Sequence, residues 1–169
     1  MTVVLHRSAV RTIDPLELYA ILRLRVSVFV VEQACPYPEL DGRDVEAGAE
    51  LLWATDSGDV VATLRVLHDA DGALRVGRVA TAPAARSRGV AAELMRAALD
   101  RCAEIDPSAA VVLDAQAHLA PWYGRFGFTV DGDAFDEDDI PHVPMRREAQ
   151  VAPGAPGATD GDPAHRARA

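Results

Sequence analysis

Apolar residues recur at helical spacing near the beginning of the chain. The segment starts at Asp14, whose carboxylate suits a helix cap, and Pro15, which suits a first helical turn. Apolar side chains then follow at steps of three and four residues, as on the buried face of a helix: Leu18, Ile21, Leu22, Val28 and Phe29. The pattern predicts a helix from residue 14 to about residue 31.

The middle of the chain has three apolar runs separated by short polar turns. Residues 51–55, 60–67 and 74–81 are typical of strands. Residues 56–59 (Asp-Ser-Gly-Asp) and 69–72 (Asp-Ala-Asp-Gly) have the composition of tight turns. These features predict an antiparallel three-strand meander.

The remaining elements alternate between helix and strand. A short first strand is predicted at residues 3–5. After the meander we expect a helix opened by Gly89, at 90–105, and a short helix at 119–126. Three strands are expected at 111–115, 128–130 and 142–146. Because a helix precedes strand 111–115, that strand should be parallel to its neighbour. Pro141 and Pro144 predict that the last strand lies at a sheet edge. The fold class is therefore α+β, with mixed α/β layers and one mostly antiparallel sheet.

Composition limits the classes of protein to consider. The 169 residues, 49% hydrophobic and 25% charged, fit one soluble domain over residues 1–148. Residues 149–169, rich in Ala, Pro, Gly and Asp, predict a disordered tail. The net charge of -9 argues against a nucleic-acid partner and favours cationic ones, although acidic surfaces commonly serve only solubility.

Two further observations concern location. Cys35 and Cys102 are too few for a disulfide framework, which favours a reducing compartment. The first residues lack the apolar core of a signal peptide, and no apolar run approaches the roughly 18 residues of a membrane span. We therefore expect a cytoplasmic protein with no membrane partner.

One strand–turn–helix segment carries candidate chemistry. Residues 77–91 place small residues and Gly89 just before the second long helix, where backbone N–H groups and the helix dipole favour a pyrophosphate. Arg86 and Arg88 add positive charge there. The alternative is an ordinary strand-to-helix turn with exposed arginines.

A second candidate is Tyr123, which lies one helical turn before Gly127 and Phe128. A tyrosine at a helix end near a thioester can give its proton to a departing thiolate. The alternative is that Tyr123 belongs to a core cluster of aromatic side chains with Trp122 and Phe126.

Together the two segments resemble the GNAT (Gcn5-related N-acetyltransferase) superfamily. Arg86-x-x-Gly89-x-Ala91 resembles its Q/R-x-x-G-x-G/A motif, with alanine in place of the last glycine. Tyr123-x-x-x-Gly127-Phe128 resembles its later Y-x-x-x-G-F element. Over residues 3–148 the chain is also similar to the ElaA-like subgroup, in Leu18-Tyr19-x-x-Leu22-x-Leu24-Arg25, Val28-Phe29-Val30-Val31-Glu32-Gln33-x-Cys35-Pro36-Tyr37, Asp41-Gly42-x-Asp44, Ala115-Gln116-Ala117-His118-Leu119 and Ile140-Pro141-His142-x-x-Met145.

The resemblance implies a fold and a donor. The sheet should open into a V-shaped cleft that binds acetyl-CoA, and no metal is expected. The pantetheine would pair with the strand at Val79, Ala80 and Thr81. The pyrophosphate would lie on the loop and helix start, namely Arg86, Ser87, Arg88, Gly89, Val90, Ala91 and Ala92. Members are often dimers, so a homodimer is expected, without support from particular residues.

The resemblance also implies direct transfer of acetyl to an amine, which leaves Cys35 as a packing residue rather than a nucleophile. Tyr123 is then the expected acid and an N–H near Val79 the oxyanion donor. A base must take a proton from the amine, and Glu32 is the leading candidate, its alternative being a surface carboxylate or helix cap. His118 and His142 compete for this role, although either can be a structural histidine.

Two acidic runs are candidates for attracting a cationic acceptor, or else are solvated loops. The first contains Glu39, Asp41, Asp44 and Glu46, and the second contains Asp131, Asp133, Asp136, Glu137, Asp138 and Asp139. The acceptor itself is not predicted. Two alternative functions remain. One is a non-catalytic acetyl-CoA-binding regulatory module. The other is a toxin-like, ribosome-directed acetyltransferase, although the acidic charge disfavours proximity to RNA.

Overall fold

Asp14 begins the first helix as the sequence predicts. In the computed structural model, which describes residues 2–149, the carboxylate of Asp14 accepts hydrogen bonds from the amides of Leu16 and Glu17 at 2.8 and 3.2 Å. Helix α1 spans Pro15–Arg25 and continues as a π-helical segment, Val26–Glu32. The predicted tail lies outside the described residues, except for Ala149.

Two further helices and eight strands complete the fold. The helices are α2, Val90–Ile105, and α3, Ala120–Gly124. The strands are β1 Val3–Ser8, β2 Glu50–Asp56, β3 Asp59–His68, β4 Leu74–Thr81, β5 Val111–Gln116, β6 Thr129–Val130, β7 Phe135–Glu137 and β8 Ile140–Arg147. All eight form one sheet in the order β1-β2-β3-β4-β5-β8-β6, with β7 pairing to β8. Within residues 2–149 only β4 and β5 pair in parallel, so the predicted fold class is confirmed.

Helices cover both faces of the sheet. On one face, Leu94 and Met95 of α2 pack with Leu64 and Val66 of β3 in the largest core cluster. On the other face, Ile21 of α1 packs against the β2 side chains, among them Leu51 and Trp53. Because successive side chains of a strand point to opposite faces, the nearly continuous apolar runs of β2 and β3 supply both layers.

Strands β4 and β5 separate soon after they begin. Their register contains only Leu74 with Val111 and Arg75 with Val112. Beyond residue 75, β4 pairs with β3 alone, so its other edge borders the V-shaped opening.

A β-bulge interrupts β4 beside this opening. Thr63 of β3 pairs with Ala80, whereas Arg65 pairs with Gly77, so β4 contains one more residue than β3 between these pairs. The extra length falls at Arg78, whose φ of 54° is left-handed. The bulge therefore bends β4 where it leaves β5.

The predicted edge position of the last strand is wrong. Strand β8 pairs with β5 on one side and with β6 and β7 on the other. Pro144 is tolerated because it lies opposite the interruption between β6 and β7, where its carbonyl accepts a hydrogen bond from the amide of Asp131 at 2.9 Å. Strand β7 was not predicted.

No helix within residues 2–149 is long and apolar enough to cross a membrane. Within the same residues, no group of three or more His, Cys, Asp and Glu side chains is arranged to hold a metal ion.

Candidate active site

The loop between β4 and α2 presents backbone amides at the opening. It runs through a single turn, Pro83–Ala85, and then through two left-handed residues, Ser87 (φ 60°) and Gly89 (φ 83°). No side chain caps the N-terminus of helix α2. The first amide of the helix that donates to a backbone carbonyl is that of Ala92, which bonds to the Gly89 carbonyl at 2.9 Å. Within residues 2–149 the amides of Ser87, Gly89, Val90 and Ala91 have no hydrogen-bond partner, so they are available to an anion at the positive end of a 16-residue helix.

The two arginines of this loop are engaged with carboxylates. The Arg86 guanidinium donates to both oxygens of Glu32, at 2.8 and 2.7 Å. Arg88 donates to Asp56 at 2.7 Å. The positive character of the loop therefore depends mainly on its amides, because each guanidinium charge is balanced by a neighbouring carboxylate.

Strand β4 offers a free backbone edge next to this loop. The amide of Ala82 donates to the Val61 carbonyl at 2.8 Å, so Ala82 faces β3. Because backbone groups alternate along a strand, Ala80 also faces β3, and Val79 and Thr81 face the opening. Their N–H and C=O groups form the edge on which an extended ligand can pair.

Tyr123 lies in α3, close to the end of β5. Its side chain is 7% exposed and meets Trp122 and Phe128 edge to face, with ring centroids 4.8 and 6.2 Å apart. Burial raises the pKa of Tyr123 to about 12, so the hydroxyl keeps its proton at physiological pH. Within residues 2–149 the hydroxyl has no hydrogen-bond partner. Tyr123 thus belongs to an aromatic cluster and also retains a proton to donate.

Tyr123 and the loop between β4 and α2 lie at the same end of the opening. Strands β4 and β5 are parallel, the loop follows the end of β4, and α3 follows the end of β5. Val90 of the loop's helix and Tyr123 also share one buried cluster. The two segments singled out in the sequence are therefore brought together.

Glu32 is the last residue of the π-helical segment and faces the loop between β4 and α2. Hydrogen bonds from Arg86 lower the pKa of Glu32 from its ordinary value. A lowered pKa makes a carboxylate a weaker base. Glu32 is near the opening, but its role as a base would require the ion pair with Arg86 to loosen.

The two candidate histidines occupy different surroundings. His118 is exposed in the turn Ala117–Leu119, at the end of β5. His142 is 9% exposed, with Nδ1 2.8 Å from the Ile140 carbonyl and its ring stacked on Phe135. These contacts favour a structural role for His142. His118, in contrast, is accessible to solvent.

The first acidic run is not an open negative surface. Glu39, Asp41 and Asp44 pair with three arginines, Arg25, Arg65 and Arg78. Glu46 pairs with Arg43 at 2.9 Å. The run is therefore largely neutralised within the fold, and its expected attraction for a cation is correspondingly weak.

The second acidic run extends from residue 131 through β7 into the turn before β8. Asp138 and Asp139 form this two-residue turn, both with left-handed φ values. Glu137 is exposed, so this run keeps its negative charge at the surface. Cys35 packs beneath it, with Sγ 3.9 Å from the Asp138 carbonyl, and burial raises the pKa of the Cys35 thiol. A raised pKa fits a packing residue rather than a nucleophile.

Sequence reasoning missed two polar pairs near the opening. Gln116, the last residue of β5, donates to Gln33 at 3.2 Å. Arg75, whose paired residue in β5 is Val112, donates to Asp114 two residues further along β5, at 2.6 Å. The only available signal was the presence of polar residues in buried strands, and that signal did not identify their partners.

Comparisons with known proteins agree with this geometry. The sequence model of the acetyltransferase (GNAT) domain family matches residues 22–149. ElaA of Escherichia coli is 40% identical over 134 residues, which cover 78% of this chain and 88% of ElaA. A UPF0039 protein of Mycobacterium tuberculosis is 46% identical over 151 residues, 87% of this chain and 94% of the relative.

Solved structures give the same result. The crystal structure of an acyl-CoA N-acyltransferase from Pseudomonas aeruginosa aligns with a TM-score of 0.82 at 41% identity, covering 86% of this chain and 99% of the other. The crystal structure of Escherichia coli ElaA aligns with a TM-score of 0.83 at 35% identity, covering 87% and 100%.

Proposed function

Because this chain belongs to the GNAT acetyltransferase family, as an ElaA-like member, we propose that it transfers acetyl from acetyl-CoA directly to an amine. The observation that carries the proposal is the group of amides at Ser87, Gly89, Val90 and Ala91, which have no partner within residues 2–149 and lie at the mouth of the opening between β4 and β5. A coenzyme A diphosphate matches these donors in charge and hydrogen bonding.

The binding of the donor follows from the free edges described above. The amides of Ser87, Gly89, Val90 and Ala91 would hold the diphosphate. The outward-facing backbone of Val79 and Thr81 would pair with the pantetheine arm, which carries amide groups of its own. This arrangement would direct the thioester inward, towards the bulge in β4.

Three groups would then assist the transfer. An N–H at the bulge, next to Val79, would stabilise the negative charge that develops on the thioester oxygen. Tyr123 would protonate the departing thiolate, which its raised pKa permits because the hydroxyl remains protonated. The attacking amine must be neutral, and Glu32 or His118, directly or through a water, would accept its proton.

A non-catalytic acetyl-CoA-binding module is the second candidate. Such a module would need the phosphate-binding loop but not a protonated Tyr123 beside it. The position of Tyr123 at the same end of the opening as the loop between β4 and α2 therefore favours turnover. The exposed acidic hairpin at residues 131–139 makes a cationic amine the preferred acceptor class.

Release of thiol from acetyl-CoA tests the function. We expect at least one amine, in a panel of polyamines, aminoglycosides, amino acids and peptides, to raise thiol release well above the rate without acceptor. Binding of acetyl-CoA without stimulation by any amine would instead support the regulatory module.

Paired variants test the two candidate bases. We expect Glu32→Gln to lower turnover about tenfold or more, because it removes the carboxylate that would accept the proton of the amine, whereas His118→Gln should change turnover less than about threefold. The affinity for acetyl-CoA is measured in parallel by calorimetry, since Glu32 also holds Arg86.

A larger loss of turnover in His118→Gln than in Glu32→Gln would identify His118 as the base. Unchanged turnover in both variants would remove both residues and leave water or the acceptor itself as the proton carrier.

A further inference from the structure

Seven side chains from four segments meet in one network beside the bulge in β4, and three of them, Arg25, Glu39 and Arg65, are buried. We call it the arginine–carboxylate cluster; it consists of Arg25, Tyr37, Glu39, Asp41, Asp44, Arg65 and Arg78. Its members come from the end of α1, the loop before β2, strand β3 and the bulge. Three guanidinium groups face three carboxylates, so the formal charge of the cluster is balanced.

Arg25 forms the buried centre of the cluster. It has 0% exposure, and its Nε donates to the carboxylate of Glu39, which is itself 3% exposed. Its terminal nitrogens donate to Asp44 at 2.7 and 3.2 Å and to the Glu39 carbonyl at 3.2 Å. These bonds attach the loop before β2 to the end of α1.

Arg65 attaches the same loop to β3. It donates to both oxygens of Asp41, at 2.7 and 2.8 Å, and it is 4% exposed. Burial alone would raise the pKa of Asp41, but hydrogen bonds from Arg65 and from the amide of Arg43 hold that pKa well below its usual range. Asp41 therefore stays ionised, and the loop stays attached.

Arg78 connects this fixed loop to the bulge. Its Nε lies 2.6 Å from Glu39 Oε2, an ion pair without hydrogen-bond geometry, and its Nη2 donates to Asp41 at 3.1 Å. Its guanidinium lies over the Tyr37 ring, 5.4 Å from the centroid, and the Tyr37 hydroxyl donates to Glu39 at 2.7 Å. The side chain is held on two carboxylates and one ring.

The backbone of Arg78 needs such support. Its φ of 54° is disfavoured for a residue with a Cβ atom, and a bulge residue has lost part of its ladder pairing. Strained backbone of this kind persists where surrounding contacts determine it, and it is common at functional sites.

We propose that the arginine–carboxylate cluster is a positioning device which, acting through Arg78, holds the β4 bulge so that the neighbouring Val79 amide points at the thioester oxygen of the donor. This role rests on the proposed function. It also accounts for the acidic run at residues 39–44, whose carboxylates hold a strand in place instead of attracting an acceptor.

The bound thioester reports the position of the amide directly. A hydrogen bond to the carbonyl oxygen of acetyl-CoA labelled with 13C at that carbon moves its chemical shift downfield on binding. We expect this shift in the wild type. Arg78→Gly removes the anchor while introducing a residue that accepts the left-handed backbone, so the variant should fold. Glu39→Gln weakens the same anchor by removing a charge.

Both variants should lose at least about half of the downfield shift, with affinity for acetyl-CoA changed less than about threefold. Thiol release in the absence of acceptor should fall about tenfold to a hundredfold, as expected for a small misplacement of a catalytic donor. Arg101→Gln is the matched control, because Arg101 is also bidentate to a carboxylate, Glu50, at 2.8 and 2.7 Å, but lies outside the cluster. It should behave as the wild type.

The positioning role would be overturned if Arg78→Gly showed the same downfield shift of the bound thioester carbon as the wild type. It would also be overturned if the wild type bound acetyl-CoA without any such shift. A merely structural cluster would lower thermal stability and affinity together and leave the shift of the bound fraction unchanged. Failure of the wild type to bind acetyl-CoA would refute the proposed function, and this role with it.

Discussion

Replacing Tyr123 with phenylalanine should lower turnover about a hundredfold to ten-thousandfold and leave the affinity for acetyl-CoA within about threefold of the wild type. The hydroxyl removed is the proton source for the departing thiolate. The ring, which packs with Trp122 and Phe128, is kept, so the aromatic cluster and the fold should remain. Steady-state thiol release gives turnover, and calorimetry gives affinity.

The matched control is Tyr19→Phe, the same chemical change at a side chain that is 67% exposed on α1. Its turnover should be unchanged. The wild type should also show no loss of turnover from Tyr123 ionisation until the pH approaches its raised pKa of about 12. Full activity of Tyr123→Phe would remove Tyr123 from the acid role and leave it as a core residue.

Replacing Gly89 with glutamate should weaken binding of acetyl-CoA about a hundredfold, which corresponds to about 2.8 kcal/mol. The carboxylate would stand among the amides that are to hold the diphosphate, and like charges repel there. The left-handed φ of 83° also disfavours any side chain at this position, although a Cβ would meet open space. Calorimetric titration with acetyl-CoA measures the effect.

Backbone strain alone is controlled by Gly72→Glu. Gly72 has a φ of 88° and open space at its Cβ position, and it lies in the turn between β3 and β4, at the opposite end of β4 from the loop. That variant should bind acetyl-CoA normally, with a similar loss of thermal stability. Equal weakening in both variants would mean that the diphosphate does not lie at Gly89.

Local signals predicted the elements that frame the site. The cap at Asp14, the turns at residues 56–59 and 69–72 and the helix opened by Gly89 depend on neighbouring residues, and each lies where the sequence predicts it. The loop before α2 and Tyr123 were candidates on local chemistry, and their match to family motifs strengthened that prediction. Their placement at one end of the opening agrees with that match.

Features that depend on distant pairing were predicted poorly. The prolines of β8 suggested an edge, because the interruption between β6 and β7 opposite Pro144 is not visible in the chain itself. Strand β7, Phe135–Glu137, is too short and acidic to show alternation. Arg25 and Arg78 meet the carboxylates of residues 39–44 across long sequence separations, so the acidic run was interpreted as an open patch.

Donor binding along β4 and the loop before α2 is tested most directly by the backbone amide spectrum of 15N-labelled protein during titration with acetyl-CoA. We expect large, saturable shifts for the amides of Ser87, Gly89, Val90 and Ala91, and for those of Val79 and Thr81, with one common affinity. Binding that leaves the amides of residues 87–91 unmoved, or no binding at millimolar acetyl-CoA, would contradict it.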